Sequence, residues 1–161
     1  MKATAAGALH YSGLRRALRA VRRYQSGGRR ITIVSYHRVV EDLAGARERS
    51  IPGLLVSKET FRRQLEAAAA AGYELVSFSH ALEVMAGARA ARRDLFVVTF
   101  DDGYRDVLRN AAPVLRTMGV PAMIYLAVGF VGTERRFDHD RLFHLIGLLR
   151  SRCQRDRKSV V

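Results

Sequence analysis

Between Ile31 and Leu149 the apolar positions change period several times, and each change marks the border of an expected strand or helix. Ile31-Thr32-Ile33-Val34-Ser35-Tyr36 is a β-branched run of strand type, and Leu95-Phe96-Val97-Val98-Thr99-Phe100 is apolar almost throughout, as buried parallel strands are. Residues 37–57 are polar and interrupted by Gly45, Pro52 and Gly53, so they read as one long loop. Ser57 is placed to cap a helix carrying Phe61, Leu65 and Ala68 at helical spacing and stopped by Gly72. Glu74-Leu75-Val76 follows as a short strand, and Ser79 as the expected cap of a helix ending at Met85. Asp106 to Met118 reads as a helix closed by Gly119, and Ala122 to Val128 as a strand. Arg141 to Arg150 reads as a helix turning Leu142, Leu145, Ile146 and Leu149 inward. Strand and helix alternate, which is the signature of an α/β fold.

Three regions follow: 1–30, 31–149 and 150–161. The chain has 161 residues, 48% of them hydrophobic, enough for one core. Its net charge of +13 lies at the ends. The first thirty residues hold eight Lys or Arg and no acid, and residues 150–161 hold five against one acid, so the body between is almost neutral. A basic nucleic-acid-binding core is therefore not expected. Tyr11, Leu14, Leu18 and Val21 form one stripe if residues 1–23 are helical, beside Arg15, Arg19, Arg22 and Arg23, and Ser26-Gly27-Gly28 reads as a linker after it. Such a helix can touch an anionic membrane weakly or pack on its own domain. No signal-peptide core and no membrane-spanning apolar run is seen, so a cytoplasmic or membrane-peripheral protein is the default. The single Cys153 offers neither a disulfide nor a metal cluster, and residues 150–161 continue no core pattern.

The strand ending at Phe100 runs into Asp101-Asp102-Gly103, and carboxyl ends of parallel strands are where reactive side chains gather. Two adjacent carboxylates repel unless a cation relieves them, which suggests a metal ligand with a second carboxylate free as a base. Equally, an Asp before a helix can be a cap, and Asp-Gly is a common turn. The spacing alone leaves both readings open.

Thr99-Phe100-Asp101-Asp102-Gly103-Tyr104 resembles the first signature of the polysaccharide deacetylases, the family with the NodB homology domain. Ser35-Tyr36-His37-Arg38-Val39, Gly72-Tyr73-Glu74-Leu75-Val76-Ser77-Phe78, Ala112-Pro113-Val114-Leu115 and Gly119-Val120-Pro121-Ala122 resemble other segments of it, so similarity extends from about Ile31 to Leu149. The resemblance implies an incomplete distorted (β/α) barrel. It further implies Asp101 as general base, Asp102 as ligand of a divalent metal, commonly zinc, and His37 close by as a lining residue. The activity implied is removal of N-acetyl groups from a polysaccharide or oligosaccharide by metal-activated water. The family's later His-Ser/Thr-x-x-His segment does not occur, and His139 and His144, five residues apart, point in different directions on a helix. A truncation before that segment is the expectation. A catalytically inactive remnant is one alternative, and a basic peripheral protein binding membrane or nucleic acid through residues 1–23 is another.

Overall fold

The computed structural model describes residues 22–26 and 29–158, so most of the helix expected over residues 1–23 lies outside the described residues. Arg22 and Arg23, placed at the end of that helix, instead open strand β1 (Arg22–Ser26), which pairs antiparallel with β2 (Arg29–Tyr36). Of the expected linker, Ser26 is the last residue of β1, and residues 27–28 lie outside the described residues. Next come β3 (Arg38–Val40), α1 (Leu43–Arg47), β4 (Leu55–Ser57), α2 (Lys58–Ala70), β5 (Glu74–Val76), α3 (Phe78–Met85) and β6 (Leu95–Phe100). After β6 a π-helical turn over Val107–Ala111 continues into α4 (Ala112–Met118), followed by β7 (Ala122–Ile124) and α5 (Asp138–Lys158).

β6 is the centre of the sheet because all six of its residues are buried, an environment only an apolar strand tolerates on both faces. β2 lies parallel along its whole length, from Ile31 opposite Leu95 to Tyr36 opposite Phe100. The other edge is shared: β5 pairs with Leu95–Val97 and β7 with Val98–Phe100, both parallel. Among the described residues the sheet is open, with β1 at one side.

Alternation along the strands divides the core in two. Val34, Tyr36, Phe96, Val98 and Phe100 face Phe61, Leu65 and Ala68 of α2 together with Val107, Ala111 and Val114. Ile31, Leu95, Val97 and Val76 face Ala81 and Val84 of α3. Phe61 packs edge-on to Tyr36, with centroids 5.0 Å apart. Tyr36 donates its hydroxyl to Gln64 at 2.8 Å, so a polar group at the core's centre is paired, and burial raises that phenol's pKa above its ordinary value.

Five further expectations change. The loop over residues 37–57 contains β3, α1 and β4, with β3 and β4 pairing as a small parallel ribbon. Its strands are too short to show a period. α3 is capped by Ser77, whose Oγ accepts from His80 N at 3.1 Å, not by Ser79, which lies inside the helix. β7 stops at Ile124, where the chain bends after Tyr125 N donates to the Phe100 carbonyl at 2.8 Å. Leu142, Leu145, Ile146 and Leu149 face outward, 40–62% exposed, because α5 docks through its opposite side. There Ser50 Oγ donates to Asp140 at 2.8 Å, and a Cβ at Gly147 would lie 2.6 Å from the Glu48 carbonyl oxygen. α5 also runs through Arg150 to Lys158, so residues 150–158 are helical. No described helix is long and apolar enough to cross a membrane.

Candidate active site

The parallel pairing of β2 and β6 brings their carboxyl ends to one rim and sets His37 beside Asp101. Asp101 N donates to the Tyr36 carbonyl at 2.8 Å, extending the ladder one residue past the strand. The Asp101 side chain accepts from Ser35 Oγ at 2.5 Å through Oδ2, and His37 Nε2 lies 3.8 Å from the same oxygen. Its Oδ1 makes no hydrogen bond among the described residues. Both side chains are about one-third exposed, at 37% for Asp101 and 33% for His37, so solvent and a ligand can reach them.

Asp102 is held differently. Gly103 N donates back to the Asp101 carbonyl at 2.9 Å, a γ-turn about Asp102, whose φ of +70° is the rare hand of that turn. It is the sole non-glycine residue with positive φ among those described. Gly103 follows at φ +73°, and a Cβ there would meet Leu126 Cδ2 at 2.5 Å. The Asp102 carboxylate makes no hydrogen bond or ion pair among the described residues. Neither aspartate caps the following helix: Asp101 is occupied by Ser35, and no helical N–H donates to either. The turn brings strain without a capping bond, and strained backbone of this kind concentrates at functional sites.

A polar shell surrounds the turn. Tyr104 donates its hydroxyl to Asp140 Oδ2 at 2.8 Å and stands 2.9 Å from His139 Nε2. Burial first, then the bond to Asp140, hold the Tyr104 phenol above its ordinary pKa. Arg38 stacks over the Tyr104 ring at 4.7 Å and donates to Asp106 at 2.7 Å. Burial raises the Asp106 carboxyl pKa despite the opposing pull of Arg38 and of the Val39 N–H. Phe137 packs on Tyr104 and stacks nearly parallel to the His139 ring. His139 and His144 have no contact with each other among the described residues.

The structure thus brings Asp101 and His37 together and sets Asp102 next to them on its own turn. Sequence reasoning missed Ser35, Arg38, Tyr104, Asp106 and Asp140 as parts of the site. Ser35 had a usable signal, being two residues before His37 and therefore on the same side of the strand. Asp140 had none, since its approach depends on how α5 docks. Among the described residues no three His, Cys, Asp or Glu side chains converge as a metal site. The chemistry of the pair nonetheless fits one end of such a site: an unpaired, half-exposed carboxylate is a hard oxygen donor for a divalent cation.

The chain is similar in fold to several solved structures. IcaB from Ammonifex degensii is 29% identical over 66% of this chain and 42% of that one, with a TM-score of 0.57. A de-N-acetylase from Aggregatibacter actinomycetemcomitans is 21% identical, covering 67% of this chain and 43% of that one, with a TM-score of 0.59. BC0361, a polysaccharide deacetylase from Bacillus cereus, is 24% identical, covering 71% and 32%, with a TM-score of 0.51. The chain spans less than half the length of each of these structures. No family model matches the chain, and no curated protein matches it.

Proposed function

From this likeness to polysaccharide deacetylases of the NodB-like type, we propose that residues 31–149 carry part of a carbohydrate de-N-acetylase site, with Asp101 as general base and Asp102 as metal ligand. The observation that carries it is the Asp101-Asp102-Gly103 turn itself, one carboxylate oriented by Ser35 and the other unpaired on a left-handed backbone. The sheet would be the first part of a distorted (β/α) barrel. The substrate class is an N-acetylated polysaccharide or oligosaccharide.

A divalent cation bound at Asp102, zinc being the common choice, would acidify water and polarise the acetamide carbonyl. The chain's own residues supply the rest. Ser35 fixes the Asp101 carboxyl group through Oδ2 and leaves Oδ1 to accept the proton of the attacking water. His37 lines the same rim and keeps that carboxylate beside a polar ring. Weak contact of residues 1–23 with an anionic membrane surface remains a separate proposal, carried by their charge alone.

Residues 1–161 by themselves offer one assigned metal ligand, whereas catalytic zinc generally has three. Acetate release from N-acetylglucosamine oligomers, measured with and without zinc beside an Asp101→Asn control, is therefore expected to stay at background. Zinc-dependent release abolished by that substitution would show a complete site and contradict the one-ligand account.

A further inference from the structure

We infer that Asp106 and Asn110 form a positioning clamp that sets His37 against Asp101, acting through the Val39 backbone rather than by touching either residue. The inference rests on the reading of Asp101 as the base.

His37 has no hydrogen bond of its own that would fix its ring, so its place depends on the chain at either side. On the amino side the Tyr36 carbonyl is held by Asp101 N at 2.8 Å. On the carboxyl side both backbone groups of Val39 are taken by side chains of one helical turn. Asp106 Oδ1 accepts from Val39 N at 3.2 Å, and Asn110 Nδ2 donates to the Val39 carbonyl at 2.7 Å. An amide and a carboxylate four residues apart thereby imitate the two bonds of a neighbouring strand. Asp106 also holds Arg38 through its other oxygen, and Arg38 lies over Tyr104, the residue that follows the Asp101-Asp102-Gly103 turn. The same clamp therefore restrains the segment carrying His37 and the far end of the turn carrying both aspartates.

The local geometry suits this use. Val107–Ala111 is π-helical, a widened turn that costs helix stability and occurs mostly at functional sites. Asp106, just before it, and Asn110 within it sit one turn apart and address a single residue, Val39. Val39 is fully buried, so its backbone groups need partners, and although Val39 lies inside the β3–β4 ladder, these two groups are met by the helix. Partners drawn from the helix after the aspartates tie that need to the site.

The test is nuclear magnetic resonance of the labelled full chain, following the His37 ring, the Asp101 carboxyl carbon, and line broadening by Mn²⁺ at these residues. Asp106→Ala is expected to displace the His37 and Asp101 signals while the β6 amides stay in place, and to weaken Mn²⁺ broadening at these residues. Asp106→Asn keeps an acceptor for Val39 N and should restore most of the His37 signal position. Asn110→Ala removes one bond and should displace His37 in the same direction, which serves if Asp106→Ala does not fold. Unmoved His37 and Asp101 signals in folded Asp106→Ala or Asn110→Ala would overturn the clamp. Displaced signals without Mn²⁺ broadening in the wild type would instead support the clamp and remove the metal reading on which its purpose rests.

Discussion

Asp102 and Gly103 show how a two-residue turn can be read in energies. A non-glycine residue with positive φ costs about 1–2 kcal/mol, and Asp102 gains no hydrogen bond in return. Asp102→Gly relieves that strain but adds freedom to the unfolded chain worth about 0.5–1 kcal/mol. The variant should therefore be no less stable than the wild type in urea denaturation, and a clear loss of stability would mean that the carboxylate has a structural partner. Gly103→Ala should go the other way. Leu126 Cδ2 is the far end of an exposed side chain and can swing aside, so the φ of +73° dominates and the expected loss is about 1–2 kcal/mol by the same denaturation. The sequence makes Asp101-Asp102-Gly103 visible as a candidate site, and leaves the choice between capping and chemistry open. That choice depends on Ser35 and on the turn's hand, both of which arise only when two strands are side by side.

Elements whose signal is local were legible, and elements whose cause is tertiary were not. β6 announces itself because burial on both faces demands an unbroken apolar run. α2 does so because Ser57, Phe61, Leu65 and Gly72 form a complete start, face and stop. Phe61→Ala should cost about 3–5 kcal/mol in urea denaturation, since the ring is fully buried and packs on Tyr36 and Phe100. A smaller loss would mean that α2 collapses into the space. α5 was misread in orientation because its docking uses Asp140 and Gly147, which no hydrophobic stripe can show. The helix after the turn also carries a pH signature. Burial raises Asp106's folded pKa above its unfolded value, so the native state keeps that proton to higher pH than the unfolded chain. This group's contribution to stability is full below the ordinary carboxylate value, about 3.9, and declines as pH rises through the interval up to the raised one. The stability of the wild type minus that of Asp106→Asn should decline over that interval and level off above it. A difference that grows with pH there would reverse the assigned direction.

At the scale of the molecule, a mostly parallel sheet with one split edge collects the ends of β2 and β6 on one rim, and the helices on both faces fix that rim from behind. The α/β class and the common rim of His37 and Asp101 were legible from strand order. The shared edge of β6 and the antiparallel partner β1 were not, because pairing partners are chosen by packing. The central claim is that the rim carries a divalent-cation site to which Asp102 contributes the ligand. Paramagnetic broadening of the amide spectrum by Mn²⁺ tests it most directly, because the method detects weak binding and needs no turnover. The account predicts broadening centred on Asp101, Asp102 and His37 in the wild type and its loss in Asp102→Asn. Broadening absent from these residues, or unchanged by that substitution, would contradict it.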